Sequence, residues 1–287
     1  MKFHLLLALS CCCLAPALAK EPATNQNISY VTNGHARQKL DVFTPPNATA
    51  ACPLLVWIHG GAWIEGSKEN CPGMGMLDKG WVVASINYRF SNHAIFPAQI
   101  EDCKAAIRWL RANAETYHID KNRVAVWGAS AGGHLAALLG TTGDVKEFEV
   151  GENLDQSSAV NCVIDWFGPT DFLNWGEKSV IKADNPNDVV AKLFGGVVQD
   201  RKELATRGSP VHWVKKSSAP LLMMHGDQDN IVPLQQSELL QSAYKTAGAD
   251  CTLKVYPGMG HGGPLFSDAA AIKLMVEFLE SHMTTKK

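Results

Sequence analysis

Four short glycine-bearing segments gather the residues of this chain that can do chemistry. Gly128-Ala129-Ser130-Ala131-Gly132 fits a GxSxG pattern and stands between the apolar run Arg123–Trp127 and a small-residue helical pattern, Ala131–Leu139. A serine at a sharp strand-to-helix turn has its hydroxyl pushed out above the sheet edge, and the flanking glycines remove side chains that would clash there. A hydroxyl is a poor nucleophile until a base takes its proton, and the base needs a carboxylate to orient it. Two acids, Asp227 and Asp229, follow the apolar run Leu221–Met224 in the segment His225-Gly226-Asp227-Gln228-Asp229-Asn230-Ile231-Val232-Pro233. Asp229 is the expected carboxylate, on the pattern of such loops as much as on geometry. Asp227, directly after the strand, is expected to hold the loop through backbone amides. His261, in Gly258-Met259-Gly260-His261-Gly262-Gly263, completes the chain order Ser, Asp, His. A glycine-rich loop leaves a histidine exposed and mobile, as a proton shuttle requires.

The fourth segment is His59-Gly60-Gly61-Ala62-Trp63, after the apolar run Leu54–Ile58. Acyl transfer builds negative charge on a carbonyl oxygen, and N–H groups held in a glycine turn can bind it. Gly60 and Gly61, joined by the N–H of Ala131, are the expected oxyanion donors. His59 is expected to brace this loop. Trp63, Trp166 and Trp175 are candidates for lining a pocket, with core packing the competing role.

These segments need one frame to bring them together. Strand-like runs at Leu54–Ile58, Trp81–Ile86, Arg123–Trp127, Ala159–Phe167, Leu221–Met224 and Thr252–Tyr256 alternate with helical patterns. The helices are expected at Pro97–Ala114, Ala131–Leu139, Leu234–Ala247 and Ser267–Ser281. In the first, Ile100, Cys103, Ile107 and Leu110 share one face, and Glu101, Lys104, Arg108 and Arg111 point elsewhere. Continuous apolar strands separated by helices predict an α/β fold with a mostly parallel central sheet covered on both faces. Gln38–Phe43 alternates like an antiparallel edge strand. Residues 172–215 break the rhythm and predict a small inserted lid, a place where substrate pockets form. The run Asp184–Asp188 resembles a calcium loop in composition only.

Composition narrows the function. The chain has 287 residues, 46% hydrophobic and 19% charged, which fits one large globular domain over residues 20–287. A formal charge of -2 gives no basic face for nucleic acid. Lys2, the apolar stretch Phe3–Leu14 and Ala17-Leu18-Ala19 read as a cleaved signal peptide over Met1–Ala19, so the chain is expected to be secreted or periplasmic. No other run reaches the length of a transmembrane helix. Beyond Cys11, Cys12 and Cys13 lie Cys52, Cys71, Cys103, Cys162 and Cys251. That odd number leaves at least one thiol unpaired, and no spacing suggests zinc or another metal. Asn27-Ile28-Ser29 and Asn47-Ala48-Thr49 are glycosylation sequons.

Together with Asn87-Tyr88-Arg89, residues 96–113 and 128–139, these motifs resemble the α/β-hydrolase superfamily. Within it they are similar to the hormone-sensitive-lipase branch, and most to bacterial bifunctional feruloyl and acetyl-xylan esterases. The resemblance covers roughly residues 28–282. It implies an α/β-hydrolase fold and ester hydrolysis without metal or organic cofactor. Ser130, Asp229 and His261 then form the triad, with Gly60, Gly61 and Ala131 as the oxyanion hole. The implied substrate is an acetyl or feruloyl ester of plant-wall polysaccharide. Two departures from the branch stand out. Lys20 to Pro53 is only 34 residues, too few for its usual N-terminal helical cap, and the acid motif differs. A generic short-chain or polyester-active esterase and an inactive hydrolase-fold binding protein are the alternatives.

Overall fold

The computed structural model describes residues 23–283; the expected signal peptide lies outside the described residues. Eight strands form one sheet: β1 (Ala23–Ser29), β2 (Lys39–Thr44), β3 (Cys52–Ile58), β4 (Val82–Ile86), β5 (Ile119–Ala129), β6 (Cys162–Trp166), β7 (Leu221–Gly226) and β8 (Cys251–Tyr256). Their spatial order is β1-β2-β4-β3-β5-β6-β7-β8. The pairs from β4 through β8 are parallel, whereas β1–β2 and β2–β4 are antiparallel. One expectation needs correction. The Gln38–Phe43 strand is antiparallel but not the edge, because β1 pairs outside it. The polar sequence of β1, Ala-Thr-Asn-Gln-Asn-Ile-Ser, carries no apolar run, and a bulge near Asn27 (φ +56°) interrupts its register.

Alternate residues of the strands feed two hydrophobic layers. Leu54, Val56, Ile58, Val82, Val124 and Val126 pack against helices α1 (Ala98–Ala112), α2 (Ala131–Thr141) and α5 (Gln235–Ala247). Leu55, Trp57, Val83, Trp127 and Ile164 face α6 (Ala269–His282) and a short 3-10 helix over Pro72–Lys79. This strict odd–even division is what a sheet buried on both faces demands.

Helix α1 carries its apolar face as expected, yet Lys104 and Arg108 are also fully buried. The Lys104 ammonium donates to the carbonyl of Thr142, the hydroxyl of Ser158 and Glu149, and Arg108 pairs with the same Glu149. Residues 146–158 cover that side of the helix, a contact that helical periodicity does not register.

Residues 172–215 contain α3 (Val189–Phe194), α4 (Lys202–Gly208) and short 3-10 turns. The Asp184–Asp188 run serves α3: Asp188 caps it by accepting from the N–H of Val189 at 2.7 Å. Cys52, Cys71, Cys103, Cys162 and Cys251 are all free thiols.

Candidate active site

The chemistry-bearing loops meet because parallel strands all release their chains at the same sheet edge. Ser130 sits between β5 and α2 with φ +56° and ψ -121°. A non-glycine residue is held there only by its surroundings, at a cost of about 1–3 kcal/mol. The glycines around it are packing requirements. A Cβ on Gly128 would lie 2.1 Å from the carbonyl oxygen of Gly132, and one on Gly132 would lie 2.0 Å from that of Ile58. The elbow is thus pressed directly against the end of β3.

His261 Nε2 lies 2.8 Å from Ser130 Oγ, and its Nδ1 lies 2.7 Å from Asp229 Oδ2. With Nδ1–H donating to the carboxylate, Nε2 is left to accept the serine proton. Asp229 is buried, and its Oδ1 accepts the N–H groups of Ile231 (2.9 Å) and Val232 (3.0 Å). Burial pushes its pKa up, but hydrogen bonds from His225, His261 and the backbone outweigh this and hold it well below the usual carboxylate range. Asp227 instead accepts from the N–H of Gly258 at 2.7 Å, tying the acid loop to the histidine loop.

The first glycine loop wraps over the elbow. Gly61, Ala62 and Trp63 follow one another with φ of +112°, +49° and +58°, and the Gly61 carbonyl accepts from the N–H groups of Ile64 and Glu65. Gly60 lies against the nucleophile: a Cβ there would be 3.3 Å from that of Ser130. Ala131 is the first residue of α2, where an N–H has no helical partner. Gly60 and Ala131 therefore border Ser130 from the β3 and α2 sides, and Gly61 follows in the same loop with its neighbouring space taken by Glu65.

His59 braces this loop. Its ring stacks on Tyr88 with centroids 4.6 Å apart, Nδ1–H donates to the Gly60 carbonyl at 2.7 Å, and Nε2 accepts from Arg37 at 3.1 Å. Burial pushes its pKa down to about 4. Trp63 departs from the pocket-wall expectation. It is only 2% exposed, and its indole N–H donates to His134 Nδ1 at 3.2 Å. His134 donates in turn to the Gly208 carbonyl at 2.7 Å, linking the glycine loop through α2 to the end of α4. Trp166 is buried as well, whereas Trp175, though largely buried, lines a cleft beside Asp229.

Two supporting residues escape a reading of the sequence alone. His225 Nε2 lies 3.3 Å from Asp229 Oδ2 and donates to the Val232 carbonyl at 2.8 Å, while Nδ1 pairs with Ser237 Oγ at 2.7 Å. Its place at the end of β7, four residues before the acid, was the available signal. Arg37 reaches the site from before β2 and spans Tyr88, Asn87, Gly66 and His59, a convergence with no local sequence signature. Beside Asp229 opens a cleft of about 1030 Å³ between segments 172–184 and 227–238, with Asn174, Glu177, Gln199, Gln235 and Glu238 on its walls.

Comparison with known proteins places this geometry. The BD-FAE family profile matches residues 40–244. Esterase LipC of Mycobacterium tuberculosis is 31% identical over 239 residues, covering 81% of this chain and 58% of that protein. The chain thus spans little more than half the length of such curated relatives. A truncated carbohydrate esterase from gut microbiota superposes with a TM-score of 0.85 at 34% identity, covering 94% of this chain and 99% of that one. A bifunctional GH43-CE protein of Bacteroides eggerthii gives 0.84 at 33% identity, over 91% of this chain and 38% of that one. With its mostly parallel sheet, its serine elbow and these matches, the chain belongs to the BD-FAE family and has the α/β-hydrolase fold.

Proposed function

We propose that this chain is a serine carboxylesterase that removes acyl groups from carbohydrate. The unbroken hydrogen-bonded line from Ser130 through His261 to Asp229, beside the unsubstituted turn at Gly60 and Gly61, carries this reading. Ser130 Oγ attacks the ester carbonyl as His261 Nε2 takes its proton. The tetrahedral oxyanion is received by the N–H groups of Gly60, Gly61 and Ala131. His261 returns the proton to the departing alcohol, leaving an acyl-Ser130. Water then gives a proton to His261 and attacks the acyl carbon, and the acid departs as Ser130 recovers its proton. Asp229 stays ionised throughout and stabilises the imidazolium.

The finer substrate is an acetyl or feruloyl ester of plant-wall polysaccharide. Similarity along nearly the whole chain to a carbohydrate esterase supports this. The leader reading of Met1–Ala19 fits a polymer met outside the cytoplasm. The test compares kcat/KM on methyl ferulate, acetylated xylo-oligosaccharide and p-nitrophenyl esters of rising chain length, with Ser130→Ala as control. Preference for either natural ester, lost in Ser130→Ala, supports the proposal. Turnover of simple short-chain esters alone removes the carbohydrate assignment, and activity surviving in Ser130→Ala removes the mechanism.

A further inference from the structure

We propose that Phe167 is a positioning residue for His261, a role that rests on the reading of His261 as the base. In β6, Cys162, Ile164 and Trp166 face the α6 layer while Val163 faces the opposite layer. Strand alternation therefore directs Phe167 away from α6. It lies in the α6 layer all the same, beside Trp166 and Phe266. The cause is its backbone, held at φ +45°, a region that a bulky side chain enters only under constraint. The N–H of Phe167 fixes this turn by donating to the Met224 carbonyl at 3.0 Å.

The left-handed turn delivers the ring to the base. Its centroid lies 4.6 Å from that of His261, tilted by 57°. Behind it, Phe266 packs edge-on at 5.1 Å, so the phenyl ring cannot retreat. His261 needs such a wall. Its loop contains Gly258, Gly262 and Gly263 at φ of +76°, +98° and +134°, which supply no side chains of their own to fix the imidazole. Two hydrogen bonds set the distances to Ser130 and Asp229, and the ring of Phe167 limits rotation about the line joining them. A strained backbone retained beside the reacting groups is where such a function is to be sought.

The test replaces the ring but keeps an apolar side chain. Phe167→Leu is expected to lower kcat on p-nitrophenyl acetate roughly tenfold with KM within twofold, because a misaimed base slows proton transfer without weakening binding. Phe167→Tyr, which keeps the ring, is expected to restore most of the rate. The His261 Nδ1 proton, followed by NMR at low field, is expected to be sharp in the wild type and broadened in Phe167→Leu. If Phe167→Leu lowers only the melting temperature and leaves kcat and the proton signal unchanged, the residue merely packs and the proposal fails. Should Phe167→Leu not fold, Phe266→Leu loosens the ring from behind, and an unchanged kcat and proton signal there also overturns it. A wild type that cleaves no ester sinks the esterase reading separately, while the proton signal still decides the role of Phe167.

Discussion

Gly132→Ala tests whether the serine elbow and the oxyanion loop are one mechanical unit. The added methyl would start 2.0 Å from the carbonyl oxygen of Ile58 and 2.6 Å from that of His59, both backbone atoms. Ordinary contact begins near 3.4 Å, so the end of β3 and the elbow must separate by about 1.4 Å. Ser130 sits on one side of that gap and Gly60 on the other. A shift of about 1 Å between reacting groups lowers turnover on the order of 100-fold. We expect kcat/KM on p-nitrophenyl acetate to fall at least that far, and overpacking to reduce stability by about 1–3 kcal/mol. Gly75→Ala is the matched control, since nothing lies within 4 Å of a Cβ at that position. The assay pairs initial rates with thermal melts. A Gly132→Ala protein within threefold of wild-type kcat/KM would refute the reasoning, whatever its melting temperature.

Asp229→Asn keeps the shape but loses the charge that fixes the His261 tautomer, so kcat is expected to fall on the order of 10⁴-fold in steady-state assays at neutral pH. Asp165 is fully buried on β6, its Oδ2 has no hydrogen-bond partner among the described residues, and burial pushes its pKa up to about 6. Its charging opposes folding, so stability falls as pH rises from about 4 to about 6, by about 3 kcal/mol. The melting temperature of Asp165→Asn is therefore expected to gain on the wild type between pH 4.5 and pH 7. Burial pushes the pKa of His134 down to about 4, so the unfolded chain binds a proton there that the native state does not. Stability from this group is lost as pH falls from about 6.5 to about 4, and His134→Gln is expected to cut proton uptake on unfolding near pH 5 by about one.

Most of the frame and the identity of the reacting groups were legible in local pattern. Apolar runs such as Leu54–Ile58 and Leu221–Met224 form central strands because only a doubly covered sheet tolerates them, and the glycines around Ser130 mark a turn that no other residue fits. Local pattern failed where the stabilising partner is distant. Strand β1 forms from a polar segment because β2 offers it hydrogen bonds, and Lys104 and Arg108 are buried because Glu149 comes to meet them. In sequence Trp63 fits a pocket wall or the core by pattern, and His134, 71 positions away, decides for the core by holding its indole inward. His225 and Arg37 are ordinary residues until the fold places them against Asp229 and His59. Tertiary structure alone decided these, because spacing along a chain records periodicity and turn chemistry, whereas convergence depends on which strands lie side by side.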